Sequence, residues 1–298
     1  GSIATLDQDE IETGGINTFE KQMNGRFSGV NVVSNSGEPG SGASIRIRGT
    51  NSILGNNDPL FVIDGIPQGN DFPASINPAD IESIQILKDA SATAIYGSRG
   101  ANGVVLVNTK QGREEKPTVS FSSSVGQNIV DKRIELCNAE QLAEVHQMAI
   151  DNGFTKTFDP DAVSGPGTDW QDEMFRNSLT QNYNLSVSGA NPNLQYRFSG
   201  SYLNENGIVI NSNFERYSFR SFLESNINEK LTLGGNIYIA KTQNNEIGSW
   251  NIRNMFMASP IYSPKDENGN YNIYVNPTNR VANPVGGAKL ELDEDNEN

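Results

Sequence analysis

The sequence holds one cysteine, Cys137, and one histidine, His146. A single thiol excludes an internal disulfide and leaves the redox compartment unreadable. Cys137 reads as an ordinary loop thiol rather than a nucleophile. His146 has no cysteine or second histidine near it at ligand spacing, which argues against zinc and removes most Ser/His/Asp and Cys/His schemes. Positive charge is also scarce: 22 Lys and Arg stand against 36 Asp and Glu, for a net charge of −14. Nucleic acid is therefore a poor partner, because binding it needs clustered cations to displace counterions. Long apolar runs are missing as well. No stretch of about 18 apolar residues occurs, so no membrane-spanning helix is expected. That absence leaves a membrane β-barrel open, since barrel strands alternate apolar and polar residues and keep average hydropathy low.

What is abundant is glycine, 29 residues, together with Asn and Ser, in a chain that is only 35% hydrophobic. This suits short strands, turns and solvated surface better than a helix bundle. The 298 residues allow one large domain or two modest ones. The composition shifts near residue 112, and the charged, proline-containing run Gln111 to Pro117 reads as a boundary. It divides residues 1–112 from 117–298.

In the first part Phe19, Met23 and Phe27 recur every four residues, predicting a helix over about 17–28 that Gly29 terminates. Strands are expected at 44–48, 60–63, 84–87 and 103–109, with a small-residue helix near 89–96. Leu60 to Ile63 is a fully apolar run followed by Asp64-Gly65, a strong turn signal. Asp64 reads as a turn residue rather than a ligand. The expectation is a small mixed α/β unit.

The second part alternates. Val119, Phe121 and Val125 oppose serines; Tyr183, Leu185 and Val187 oppose Asn184, Ser186 and Ser188. Leu194, Tyr196, Phe198 and Tyr202 oppose Gln195, Arg197, Ser199 and Ser201. Tyr217, Phe219, Leu223 and Ile227 oppose Arg216, Ser218 and Arg220, and Leu231, Leu233, Ile237 and Ile239 oppose Thr232 and Asn236, with Tyr238 as an exception on the polar face. Each segment has roughly the ten residues that a tilted membrane strand needs. A soluble antiparallel sheet with one wet face alternates in the same way. Loop length separates the two, because very short connections at 191–193 and 228–230 alternate with long ones at about 126–181, 204–215 and after 243. Outer-membrane barrels segregate short turns and long loops to opposite sides. Within the first long connection, Asn138 is a good N-cap for a helix over about 138–150.

Tempting glycine motifs fail on context. Gly97 to Gly103 follows a helix and precedes a strand, the reverse of a dinucleotide fold, and Gly37 to Gly42 lacks the Lys-Ser/Thr of a phosphate loop. Asp266 to Asn270 has its glycine at the wrong place for a calcium loop and reads as a hairpin turn. No catalytic constellation, metal site or cofactor site is expected.

Four ordered blocks carry a resemblance. Ser44 to Thr50 contains the "IRIRG" strand, Pro59 to Pro67 resembles "PLYVIDGVP", Asn77 to Ile84 is similar to "NPNDIESI", and Leu87 to Val104 resembles "LKDASATAIYGSRGANGV" almost letter for letter. Asp169-Trp170 and Gln181 to Gly189 resemble the first barrel strands of the same family. The chain thus resembles SusC/RagA TonB-dependent outer-membrane transporters. The resemblance implies an α/β plug followed by an incomplete antiparallel transmembrane β-barrel, since the class has about 22 strands. Both ends read as cuts in a longer chain, with leader, TonB box and most of the barrel lying outside it.

The resemblance further implies active import of an oligosaccharide or peptide across a Bacteroidetes-type outer membrane. Implied partners are TonB, a SusD-like surface lipoprotein, the cargo and outer-membrane lipid. The alternative within the same architecture is a signal-transducing receptor. A soluble binding module is the third reading, disfavoured because an uncovered face of Tyr, Phe, Leu and Ile is a liability in water. Expected cargo-facing residues lie in two plug loops: Asn51, Asn56, Asn57 and Asp58 in one, Gln68, Asn70, Asp71 and Phe72 in the other. Their bland reading is solvated turn chemistry. Arg46 and Arg48 share a strand face and are expected to latch the plug to acidic residues of the barrel wall, because paired arginines are costly to bury without partners. The alternative is ordinary strand arginines that aid solubility.

Overall fold

The structure, a computed structural model, describes residues 3–7, 10–11, 19–34, 36–49, 57–68, 75–89, 94–112, 116–160, 163–276 and 279–295. Two compact units emerge. The first contains residues 1–126, 180–205 and 214–244; the second contains 127–179, 206–213 and 245–298.

The first unit begins with β1 (Ile3–Asp7), a one-turn α1 (Phe19–Gln22), and the hairpin of β2 (Val30–Ser34) and β3 (Ala43–Ile47). β4 (Leu60–Ile63), β5 (Ile66–Pro67), β6 (Ile81–Leu87) and β7 (Val104–Thr109) follow. They build a five-stranded sheet in the order β1-β6-β7-β4-β5, in which only β4 and β7 run parallel. β4 is buried along its whole length, as its unbroken apolar run requires. Phe19, Met23 and Phe27 do share a buried face, with Phe19 packed edge-on to Phe61 at 5.6 Å. The helix is shorter than the spacing predicts. Regular helix stops at Gln22 and turns continue to Gly29, with Gly25 and Gly29 both at positive φ, a conformation that breaks helical hydrogen bonding. Of the helix expected near 89–96, residues 90–93 lie outside the described ones. Ala94–Gly100 forms 3₁₀ turns broken at Gly97.

The same unit holds most of β8 (Thr118–Asn128), β9 (Ser178–Asn191), β10 (Leu194–Asn206), β11 (Asn213–Asn228) and β12 (Leu231–Asn245), which pair in chain order as an open meander. All five expected strands are present, each longer than its alternating stretch. The short turns are closed by asparagines: Asn191 Oδ1 accepts from the amides of Asn193 and Leu194, and Asn228 Oδ1 from Lys230. Here the usual polarity of a protein surface is reversed. Val119, Phe121, Leu185, Tyr217, Phe219, Leu233 and Ile237 are exposed, while Ser199, Arg216, Ser218 and Arg220 on the opposite face are buried. Tyr183 and Tyr202 stack across β9 and β10 with ring centres 6.4 Å apart, and Tyr217 of β11 tilts against Tyr202 at 4.8 Å. No helix of the described residues is long and apolar enough to cross a membrane, which says nothing of strands.

The second unit consists of the segments that follow β8, β10 and β12. It holds α2 (Ala139–Asp151), α3 (Trp170–Met174), α4 (Ser249–Met257), a two-stranded ladder of β13 (Tyr274–Asn276) and β14 (Val281–Ala282), and α5 (Pro284–Asp295). α2 begins where the sequence predicts. Asn138 and Gln141 exchange side-chain to backbone hydrogen bonds in a capping box. Trp170, Met174, Met255, Val275 and Val285 form the core, and Trp170 donates its indole N–H to the Ser259 carbonyl at 3.0 Å. His146 stacks on Phe158 and accepts from the Thr157 amide, a structural role. Cys137 is an exposed free thiol.

Candidate functional site

The buried face of the meander meets the N-terminal α/β part within the first unit, and the contact is made of charge. Asp64 sits in the β4–β5 turn at φ 48, a left-handed conformation that an aspartate tolerates better than most residues. This turn points its carboxylate back at β7. One oxygen accepts from the Thr109 amide at 2.9 Å, and the other from the Thr109 hydroxyl at 2.6 Å. The second oxygen also receives Asn236 of β12 at 2.6 Å and forms an ion pair with Arg220 of β11 at 3.3 Å. Arg220 completes its donor set on the Lys110 carbonyl at 2.7 Å and on the Thr109 hydroxyl. Asp64 is therefore both the turn residue that its dipeptide suggests and the hub of the contact.

A second cluster lies around the short turn Pro78–Asp80. Asn77 caps that turn through the Ala79 amide and donates its side-chain amide to Asn184 of β9 at 2.8 Å. Asp80, only 3% exposed, pairs with Arg197 of β10 at 3.5 Å. Lys110 donates to the Ala79 carbonyl at 2.9 Å. Burial, and then the charge of Arg197, lowers the Lys110 ammonium below its ordinary value, against the upward pull of Asp80 and Glu82. Tyr238, the odd residue on the polar face of β12, donates its hydroxyl to the Ser75 carbonyl. Arg216 is 1% exposed, within the field of Glu20, Asp80 and Glu205. At Gly112 the backbones touch: a Cβ there would lie 2.4 Å from the Gly189 carbonyl oxygen and 2.5 Å from that of Tyr196.

The residues singled out in the sequence fall elsewhere. Arg46 pairs with Asp58, and Arg48 with Asp89. Both ion pairs are internal to the α/β part, and both arginines keep solvent contact. Carboxylates come from the α/β part and guanidinium groups from the strands. Asn57 and Asp58 are partly exposed, and Gln68 caps its own turn by donating to the Ile66 carbonyl. Asn51, Asn56, Asn70, Asp71 and Phe72 lie outside the described residues. The arginines of this contact carried one signal in the sequence. Arg197, Arg216 and Arg220 stand opposite the aromatic face of their strands, which is where a lumen-facing cation must stand if the aromatics face lipid.

Residues 1–104 match the model of the TonB-dependent receptor plug domain. A TonB-dependent receptor of Formosa agariphila is 38% identical over 303 residues, covering 99% of this chain and 30% of the relative. The TonB-dependent receptor SusC of Bacteroides thetaiotaomicron is 37% identical over 305 residues, covering 95% of this chain and 29% of the relative. The chain belongs to the SusC/RagA family of TonB-dependent receptors. Its α/β part is the plug, and its meander is a run of barrel strands; no closed barrel is formed by these residues. In the structure of the RagAB peptide transporter, one chain superposes with a TM-score of 0.78 at 27% identity, over 92% of this chain and 35% of that one. This chain thus spans about a third of the length of the relatives it matches. Asp64 to Gly65 and Asn77 to Asp80, which hold the two contact clusters, lie inside the matched plug.

Proposed function

We propose that the protein of which this chain is part imports a nutrient, an oligosaccharide or a peptide, across the bacterial outer membrane. TonB supplies the work by pulling on the plug, and a SusD-like surface lipoprotein covers the outer mouth. One observation carries this reading: the strands hide arginines and expose aromatics and aliphatics. Such polarity is stable where lipid bathes the outer face and a folded plug fills the inner one. In water the same sheet leaves an apolar face uncovered.

The contact explains why external work is needed. Buried charge pairs are individually costly to break, since removing one partner strands the other. Asp64 with Arg220 and Asp80 with Arg197 must part before a path opens beside the plug. The test is uptake of labelled peptide and oligosaccharide pools by cells carrying the complete protein, with and without a protonophore. Import predicts gradient-dependent accumulation that also disappears in a TonB deletion. Equal uptake in all conditions, or none, overturns it.

A further inference from the structure

The second unit carries an open cavity of about 1190 Å³, lined in part by exposed cations that the plug contact does not use. Tyr271 presents its ring there, half-buried. Lys265 places its ammonium 4.9 Å from the ring centre, and Lys289 places its own 5.7 Å from the same centre. Among the described residues, neither head is joined to a carboxylate. The third cation lining the cavity, Arg133, is already engaged by Asp172 and Asp169.

This wall is prebuilt. Lys265 and Tyr271 face one another across a hairpin whose turn is held by Asp266, which accepts from the amides of Asn268 and Asn270. Lys289 stands one helical turn after the buried Val285 on α5, on the same side of the helix. Asn283 ties the two elements together, donating to the Pro264 and Asn272 carbonyls at 2.7 and 2.9 Å while capping the amides of Val285 and Gly286. Gly286 lets the helix close on the ring, since a Cβ there would lie 3.3 Å from that of Tyr271. A ring quadrupole leaves N–H donors on both ammonium groups unsatisfied. An anion beside either head gains charge-assisted hydrogen bonds.

We propose that Lys265, Lys289 and Tyr271 form a binding site for a carboxylate group on the cargo. Tyr271 takes the flat or apolar part next to the carboxylate. The inference rests on the import reading and narrows it from any polar oligomer to an acidic one. Two sources share this chemistry, a uronic-acid sugar and a peptide C-terminus.

The experiment uses the complete protein purified in detergent and four probes: trigalacturonate and its methyl ester, and an N-acetylated tripeptide and its C-terminal amide. The free acid of one pair is expected to bind about tenfold more tightly than its neutral form, the scale of a charged hydrogen bond. The pair that responds identifies the source. Lys265→Gln with Lys289→Gln erases the difference, and Lys265→Arg with Lys289→Arg keeps it, which separates charge from packing. Equal affinity for acid and neutral forms overturns the site, as does an acid preference that survives the glutamine pair, or failure of all four to bind. Gradient-dependent uptake of the labelled pools is measured in parallel. If it persists when the acid preference is absent, the site alone is lost and import stands.

Discussion

Arg220 and Arg46 have the same side chain and opposite consequences. Arg220 is 2% exposed and bonds the plug in three places, whereas Arg46 pairs with Asp58 on a surface that water reaches. Arg220→Gln is expected to destabilise the seated plug by about 3 kcal/mol, the lower end for a broken buried pair, because Asp64 keeps some solvent contact. Arg46→Gln should cost about 1 kcal/mol or less. Hydrogen exchange of the amides of residues 60–67 in the complete protein distinguishes them; equal protection in both variants would contradict the contact. Lys110 adds a pH dependence. Its folded value is lowered, so the folded state binds fewer protons than the unfolded one between that value and the ordinary lysine range. Stability relative to Lys110→Gln should therefore rise with pH through that window, and a falling difference would contradict the burial. None of these partners was legible in the sequence. Asp64 and Arg220 stand 156 positions apart, and an Asp-Gly dipeptide predicts a turn without saying what the carboxylate meets. Arg46 and Arg48 drew notice because they share a strand face, yet each found a nearer acid.

At the level of elements, the alternating strands were legible because period two survives whatever the strand packs against. Their polarity was not, since a wet soluble sheet and a lipid-facing sheet alternate alike. It becomes testable on β11, where Tyr217, Phe219 and Leu223 are exposed and Arg216, Ser218 and Arg220 are buried. Phe219→Arg should impair membrane assembly by about 2–4 kcal/mol if it lies near the bilayer midplane. Heat-modifiable migration of the complete protein after expression reports this, and unchanged assembly would contradict a lipid-facing Phe219. α2 was legible to within a residue because its capping box is local. Asn138→Ala should cost about 1 kcal/mol, seen as faster exchange of the Gln141 amide. α1 was overestimated: three apolar residues at helical spacing are buried together, but glycines let turns do what a helix would have done. The seat of Gly112 against β9 and β10 was also hidden, because a glycine in a charged linker reads as flexibility, whereas here it permits backbone contact. Gly112→Ala should unseat that segment at a cost of about 1–3 kcal/mol.

For the whole molecule, the fold class was readable from four ordered blocks. On the proposed import reading, a plug held by these ion pairs closes a passage until something pulls. The most direct measurement replaces Asn77 and Asn184, a neutral pair that meets at 2.8 Å, with cysteines in a background of the complete protein cleared of Cys137 and of any other free thiol. A short bis-methanethiosulfonate bridge then ties the plug to β9 and can be removed by reductant. Import by plug release predicts that bridging abolishes gradient-dependent uptake of labelled peptide and oligosaccharide pools, and that reduction restores it. Undiminished uptake through the bridged protein would show that the plug need not leave this wall, and would contradict the mechanism.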